Sequence, residues 1–164
     1  AHRTHGVSLA PLLTGEATSV REWAIGGVFG NWVQVTDGRH KYARAPEGDG
    51  FPLSMWSNRW STMPIHGLPG AALPPPDGRA VLDRMPGSTV PVIRQPFRPG
   101  DLLPFWAGSP RIVGDHHLYD LDVDPDEGEN LVGEAIEREL EELLRVALAD
   151  VDAPREQWER LGLG

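Results

Sequence analysis

Near the N-terminal end of the sequence, apolar and polar residues alternate with the period of two that is typical of β-strands. One alternating run covers residues 31–36 and a second covers residues 39–44. Asp37 and Gly38 separate the runs, and an Asp-Gly pair favours a two-residue type I′ turn, because both central positions of that turn need positive φ. We therefore predict a β-hairpin whose inward residues share the core face of a sheet. The expected cross-strand pairs are Val35 with His40 and Val33 with Tyr42.

Two shorter elements precede the hairpin. Residues 9–13 are predicted to form a short helix, with Ser8 as its N-terminal cap and Gly15 in a left-handed turn at its end. Residues 22–29 then indicate a strand that contains the small residues Gly26 and Gly27.

The pattern changes from strand to helix in residues 115–164. Residues 116–121 are predicted to form a strand, and residues 122–127 a polar turn. A helical stripe of apolar positions follows, spaced three and four residues apart, with charged residues on the opposite face. The stripe comprises Val132, Ile136, Leu140, Leu143, Leu144, Ala147 and Val151. Asp152 and Pro154 are expected to open a short last helix, which Gly162 closes.

Residues 46–114, in the middle of the chain, show neither the period of two that is typical of strands nor the helical spacing of three and four residues. This segment holds 13 of the 16 prolines and three of the six tryptophans. So many prolines interrupt regular structure, but large aromatic side chains bury well, so we interpret this segment as a long, ordered excursion. Within it, residues 77–85 are predicted to include a short helical piece.

This order of elements predicts an α+β fold in which a small antiparallel sheet packs against one long amphipathic C-terminal helix. We expect a single subdomain over residues 1–164. Its sheet and helix core would comprise residues 1–45 and 115–151, the Pro/Trp-rich excursion residues 46–114, and the terminal helix residues 152–164.

Charge and cysteine content exclude several classes of protein. Residues 115–164 carry 16 acidic and 4 basic side chains (−12), and residues 1–114 carry 8 and 11 (+3), which gives the net charge of −9. Nucleic-acid binding needs clustered Lys and Arg, so we expect no nucleic-acid partner. The sequence has no cysteine, which excludes disulfides and thiol chemistry. No apolar run is long enough for a membrane span, and the compartment stays open.

Three segments resemble parts of the type I sulfatases, a family of the alkaline-phosphatase-like superfamily. Residues 5–15 (HGVSLAPLLTG) resemble the segment that leads out of the catalytic domain in that family. Residues 36–42 (TDGRHKY) resemble its C-terminal hairpin, and residues 118–131 (LYDLDVDPDEGENL) its closing strand, turn and helix start. The three segments occur in the family's order. The resemblance covers residues 4–45 and 117–150, and the Pro-rich middle departs from it.

The resemblance implies that the parent enzyme hydrolyses sulfate esters. Such enzymes use a formylglycine made from Cys or Ser in a Cys/Ser-x-Pro-x-Arg motif, and a divalent cation, usually calcium, that stabilises charge on the sulfuryl oxygens. This sequence contains no such motif, so we expect no catalytic residue and no cofactor in this chain. The matching residues then have structural roles. Pro11 and Gly15 shape the crossover, Asp37 and Gly38 make the turn, Tyr119 and Leu121 pack, and Asn130 caps the long helix.

Four residues of the middle segment are candidates for the rim of a substrate site in the parent enzyme. They are Trp56, Arg59, Trp60 and His66. Arg59 would attract an anionic ester, although the tryptophans are favoured as the core of the excursion itself. Two other clusters are weaker candidates. Residues 115–117 (DHH) carry possible metal ligands, but neighbours in a strand point to opposite faces. The acidic residues 120–127 lack the spacing of a calcium loop, so a solvated turn is favoured.

We therefore expect an accessory subdomain of a sulfatase-like hydrolase, inactive alone, whose partner is the catalytic domain of the same polypeptide. The start at Ala1, rather than Met, suggests an excised or processed chain. Two alternatives stay open: the same subdomain in a phosphodiester or phosphonate monoester hydrolase, and a non-enzymatic binding module that uses the Trp/Pro-rich surface. An isolated subdomain would bare an apolar face and tend to self-associate.

Overall fold

The described residues form two compact units, each with its own antiparallel sheet. The computed structural model describes residues 5–58, 79–101 and 115–164. The first unit groups Ala1–Gly26, Val33–Arg44 and His116–Val151, and the second groups Gly27–Trp32, Ala45–Asp115 and Asp152–Gly164. Two antiparallel sheets with helices confirm the predicted α+β class and the long C-terminal helix.

The first unit contains a four-stranded sheet and two helices. The strand order is β1-β2-β3-β7. The strands are β1 (Ala24–Gly27), β2 (Val33–Thr36), β3 (His40–Arg44) and β7 (His117–Asp120). The helices are α1 (Ala10–Leu13) and α2 (Ala135–Asp150). The short helix α1 ends as predicted, because Gly15 has a φ of 75° and so takes the left-handed conformation.

A row of three fully buried residues forms the centre of this sheet. Val35 of β2 lies opposite Tyr42 of β3, which lies opposite Leu118 of β7, and each side chain is 0% exposed. Burial raises the pKa of the Tyr42 hydroxyl, which accepts a hydrogen bond from Arg44 Nη1 at 3.2 Å. The row therefore joins three strands through apolar burial while its one polar atom keeps a partner.

Helix α2 packs its apolar stripe against β2 and β3. Its spacing of apolar residues produces one buried face, as the sequence predicts, although Val132 of the predicted stripe lies before the helix and is exposed, and Leu148 joins the buried face. The buried residues are Leu140, Leu144, Ala147 and Leu148. Arg44 Nη1 of β3 also donates to Glu141 Oε2 of α2 at 2.7 Å. In the part of the chain that the structure describes, no helix is both long and apolar enough to cross a membrane.

The hairpin of β2 and β3 forms, but its predicted register and turn type are wrong. Val35 pairs with Tyr42 rather than His40, and Thr36 pairs with Lys41, which leaves a four-residue loop. Gly38 has a φ of 99°, whereas Asp37 does not have positive φ, so the turn is not type I′.

The side chain of Asp37 explains the wider loop. Asp37 Oδ1 accepts the backbone N–H groups of Arg39 at 2.9 Å and His40 at 2.6 Å, an arrangement that competes with the two-residue turn. Because the register differs by two residues, every side chain stays on its predicted face. The prediction of an inward Val35 and Tyr42 is therefore confirmed although their partners were assigned wrongly.

Ion pairs join the hairpin to the closing strand and to the acidic turn after it. Both Nε and Nη2 of Arg39 donate to the carboxylate of Asp120, at 3.0 and 2.6 Å. Lys41 Nζ donates to both carboxylate oxygens of Glu127. Asp124 accepts the N–H groups of Glu129 and Gly128, and these bonds hold the pKa of its carboxyl below the usual value. The acidic turn is thus held by cations and backbone donors rather than left as free carboxylates.

Asn130 does not cap α2, contrary to the prediction. The N-cap position is Glu134, which makes no side-chain cap hydrogen bond. Asn130 Oδ1 instead accepts the N–H groups of Leu118 at 2.9 Å and Val132 at 3.2 Å. Its amide therefore fastens β7 to the segment that leads into the helix.

The second unit has a three-stranded sheet that the sequence did not predict. Its strand order is β4-β6-β5, with α3 (Arg155–Arg160) packed against β4. The strands are β4 (Leu53–Ser57), β5 (Val81–Arg84) and β6 (Pro91–Phe97). The helical piece predicted over residues 77–85 is wrong where the structure describes it, because Val81–Arg84 pairs with β6 as a strand. Helix α3 ends before Gly162, whose φ of 62° agrees with the predicted closure.

Strand β4 is buried on both faces, which explains why its apolar and polar residues do not alternate strictly. Leu53 and Met55 point to one face and join Phe97 in an apolar cluster, against which Phe29 packs. At α3, the buried Arg160 donates from Nη2 to the carbonyl of Asn31 at 2.6 Å. This bond ties the C-terminal helix to the loop at residues 27–32 within the same unit.

We predict that Leu144→Ala destabilises the protein by about 2–5 kcal/mol, because it leaves a cavity at a fully buried position. The matched control is Val146→Ala on the same helix. Val146 is 49% exposed, so its truncation should change the free energy of unfolding by less than about 0.5 kcal/mol. Urea unfolding monitored by circular dichroism measures both, and equal effects would contradict the assigned helix face.

A second prediction concerns how the stability of the folded protein depends on pH. The hydrogen bonds from Arg39 hold the pKa of Asp120 below its usual 3.8. A depressed pKa stabilises the folded state fully above the unfolded pKa, and this contribution disappears as the pH falls through the folded pKa. Asp120→Asn should therefore lower the urea midpoint at pH 7, with a difference from the wild type that shrinks below about pH 4. Asp122→Asn, at a 70% exposed side chain, is the control. If the difference in urea midpoint between Asp120→Asn and the wild type did not depend on pH, the link between the pKa of Asp120 and stability would be refuted.

Candidate functional site

The buried carboxylate of Glu156 organises a polar cluster in the second unit. Glu156 lies in the first turn of α3 and is 6% exposed. Its carboxylate accepts hydrogen bonds from Ser54 Oγ at 2.8 Å, Trp56 Nε1 at 3.1 Å and Arg94 Nη2 at 3.2 Å. A buried carboxylate is costly unless donors compensate its lost hydration, and here three side chains do so.

The pairing of β4 with β6 places these donors together. Trp56 lies directly opposite Arg94, and Ser54 lies two residues earlier on the same face of β4. Alternation along the strand sends Leu53 and Met55 to the other face, into the apolar cluster. One strand therefore supplies the core on one side and the polar cluster on the other.

Arg94 is held by several neighbours at once. Its Nε donates to Ser54 Oγ at 3.1 Å, and its Nη1 lies 3.7 Å from a carboxylate oxygen of Asp83. The guanidinium carbon lies 5.5 Å from the centroid of the Trp56 ring, within the range of a cation–π interaction. These contacts fix the orientation of both the guanidinium group and the indole.

An open cleft of about 370 Å³ borders this cluster. Trp56, Pro52, Pro86 and Pro154 give it apolar surface. The charged residues of its lining are Arg84, Arg94, Arg155, Glu156 and Glu159. The cleft thus combines an oriented aromatic ring with guanidinium groups, which suits recognition of a small molecule by shape and charge.

Of the four rim residues predicted from the sequence, the structure places Trp56 in the lining of this cleft. Arg59, Trp60 and His66 lie outside the described residues. Trp56 is half-buried, so it contributes both to the packing of the unit and to the cleft surface.

Sequence reasoning missed Ser54, Arg94 and Glu156 as members of a site. Arg94 stands within a mostly apolar run, and Glu156 directly follows the start of a predicted helix. A single basic residue inside a strand-like run is a signal for a buried or paired cation. That signal becomes useful only when residues 91–97 are recognised as a strand.

The weaker metal candidates are engaged in other contacts. The His116 ring lies 6.3 Å from the Tyr42 ring, while His117 Nδ1 lies 3.0 Å from Tyr119 Oη. His116 precedes β7 and His117 is its first residue, and the two rings contact different neighbours. Within residues 5–58, 79–101 and 115–164, no group of three or more His, Asp or Glu side chains is arranged to hold a metal ion.

We predict that Glu156→Gln destabilises the protein by about 1–3 kcal/mol, because Arg94 loses the nearer and more buried of its two anionic partners and one carboxylate acceptor becomes a donor. Glu159→Gln is the matched control on the same helix. Glu159 pairs with Arg155, whose side chain is 90% exposed, so its replacement should change the free energy of unfolding by less than about 1 kcal/mol. Urea unfolding measures both variants, and a Glu156→Gln protein as stable as the wild type would contradict the proposed role of the carboxylate.

The chemistry assembled here is that of binding: an indole, guanidinium groups held in place, and carboxylates already engaged with cations. Its geometry follows from local strand pairing and from the buried carboxylate of Glu156. Comparisons of the chain with protein-family models, curated proteins and solved structures find no match.

Proposed function

We propose that this chain is the C-terminal accessory subdomain of a sulfatase-like hydrolase and is inactive alone. The parent enzyme would hydrolyse sulfuric esters with a formylglycine nucleophile and a divalent cation, both held in its catalytic domain. One observation carries the proposal. The two segments that resemble the family's hairpin and its closing strand pair with each other as β3 and β7, although residues 45–116 separate them.

The contacts between these segments involve the residues on which the resemblance rests. Arg39 of the hairpin bonds Asp120 of the closing strand, and Lys41 bonds Glu127 of the following turn. The segment that resembles the exit from the catalytic domain belongs to the same compact unit. Three resemblances found separately along the sequence therefore meet in one sheet-and-helix unit, which supports a common origin for all three.

The exit segment also has the surface that a covalently attached catalytic domain would cover. Val7, Leu9, Leu12 and Leu13 are all exposed, and Leu13 is 87% exposed. A groove of about 300 Å³ adjoins it, with Val7, Trp23, Ile25 and Val151 in its lining. Contiguous exposed apolar residues mark interaction surfaces, and their place in the exit segment favours the catalytic domain as occupant.

The proposed role is mechanical rather than chemical. The sequence contains no cysteine and no Cys/Ser-x-Pro-x-Arg motif, so the attacking group would belong to the catalytic domain. The sheet and α2 would support one side of that domain, and loops would contribute to the rim of its substrate site. Phosphodiester or phosphonate monoester chemistry in the parent requires the same support from this subdomain.

The cleft beside Trp56 favours a second candidate function, a non-enzymatic binding module. In that case ligand recognition would need no catalytic domain. The two candidates differ in whether ester turnover depends on a polypeptide longer than this chain.

The proposal predicts that the polypeptide encoded by the complete gene turns over an aryl sulfate, while residues 1–164 alone do not. Upstream coding sequence should contain the Cys/Ser-x-Pro-x-Arg motif. Leu13→Asp in the complete polypeptide should destabilise it by about 2 kcal/mol or more, because a leucine buried by the catalytic domain would become a charge. Thermal unfolding and turnover of 4-nitrophenyl sulfate and 4-nitrophenyl phosphate provide the measurements.

The matched control is Val123→Asp, a change at a 75% exposed valine of the acidic turn in the same unit. It should leave stability and turnover unchanged. Absence of the motif upstream, or turnover by the isolated chain, would refute the proposal. Faster turnover of the phosphate ester would instead assign the parent to phosphoester chemistry. Equal effects of the two aspartate substitutions would remove the exit segment as the docking surface.

A further inference from the structure

We infer that the cleft of the second unit binds a small organic anion with a planar ring, such as an aryl sulfate, phosphate or carboxylate. The ring would pack against Trp56, and the anionic group would lie on Arg84 with Arg94 beside it. This inference does not depend on the proposed function, because it concerns equilibrium binding to the chain alone.

The charges in the cleft favour an anion. Both carboxylates in its lining already have cationic partners, since Glu156 accepts from Arg94 and Glu159 from Arg155. The third arginine, Arg84, makes a different contact: within the described residues its guanidinium group donates from Nε to the carbonyl of Thr89 at 3.3 Å. A carbonyl does not neutralise a guanidinium charge. The lining therefore carries three cations and two anions, in a chain whose net charge is −9, and Asp83, which is not part of the lining, has its ion pair with Arg94 rather than with Arg84.

The position of Arg84 makes it available to a ligand. It ends β5, is exposed to solvent, and has a guanidinium group with further N–H donors beyond Nε. Planar guanidinium groups bind carboxylate, sulfate and phosphate through paired hydrogen bonds. Arg94, held by Ser54 and Glu156, adds a second cation whose orientation is already fixed.

The apolar lining favours a ring on that anion. The Trp56 indole is oriented by its hydrogen bond to Glu156 and by the guanidinium group of Arg94, so little conformational freedom is lost when a ring packs against it. Pro52, Pro86 and Pro154 extend the apolar surface with rigid side chains. Contact between two aromatic rings is more favourable in free energy than the apolar area that the rings bury would predict.

The size of the cleft favours a small molecule. Its volume of about 370 Å³ lies at the lower end of the range of about 300–1,000 Å³ that is typical of small-molecule sites. A single substituted ring fits this volume. Free sulfate or phosphate would bind the arginines but would not fill the space beside the indole and the prolines.

The test uses the full chain and 4-nitrophenyl sulfate as the probe, with indole N–H signals followed by two-dimensional NMR. We expect saturable shifts at Trp56 with a dissociation constant of about 1 mM or tighter. Arg84→Gln should weaken binding about tenfold, because a charge-assisted hydrogen bond is lost. Trp56→Leu should weaken it by a similar factor through loss of ring packing. Inorganic sulfate and neutral 4-nitrobenzyl alcohol should each bind at least about tenfold more weakly than the probe.

Arg138→Gln is the matched control, since Arg138 is an exposed arginine on α2. It should leave the dissociation constant unchanged. Arg84 is also exposed, so Arg84→Gln should retain the wild-type unfolding midpoint, which separates lost binding from lost folding. Absence of saturation, or equal affinity of the wild type and Arg84→Gln, would overturn the inference. Equal affinity for the probe and the neutral alcohol would do the same.

Discussion

The first unit depends on a single row of buried side chains that crosses three strands. Val35, Tyr42 and Leu118 are opposed in register and fully removed from water, so β3 is stable only while both neighbours are in place. The third strand arrives after an interval that spans residues 45–116, and closing a loop of that length costs entropy before any contact compensates it. Burial of the row against α2, with the pairs from Arg39 to Asp120 and from Lys41 to Glu127, supplies that compensation. Unit formation is therefore cooperative across distant segments of the sequence.

In the second unit, a buried carboxylate connects segments that are distant in the sequence. Glu156 attracts donors from β4 and β6 to the first turn of α3, and a carboxylate that is 6% exposed cannot lose them without becoming an unpaired buried anion. The geometry that satisfies Glu156 also fixes Trp56 and Arg94. A ring and a cation held for structural reasons are already arranged as a binding surface, so a ligand has little ordering left to impose. Structure and recognition use the same hydrogen bonds here.

How far the sequence predicted this arrangement depends on the period of each pattern. The apolar stripe of α2 repeats over four turns, so its existence and buried face could be predicted. The hairpin pattern has period two and is unchanged by a shift of two residues, so it fixed the inward face of Val35 and Tyr42 but not their pairing. The loop bonds of Asp37 made that choice. The second sheet was missed because prolines at positions 91 and 96 lie inside β6 and obscure its alternation. Without that strand, nothing connects Arg94 to Trp56, and the cluster around Glu156 cannot be anticipated.

The two units differ in whether their charged groups are already engaged with partners. In the first, the acidic turn has the composition of a cation site, yet Asp120 bonds Arg39, Glu127 bonds Lys41, and Asp124 bonds backbone N–H groups. These carboxylates are engaged in holding the turn, which suits a supporting role. In the second, Arg84 carries a charge that no carboxylate of the described residues pairs with, beside an indole that is already oriented. The proposal of a supporting subdomain rests on the first set of contacts and the proposal of an anion site on the second. Because the two sets share no residue, a measurement that refutes one leaves the physical basis of the other intact.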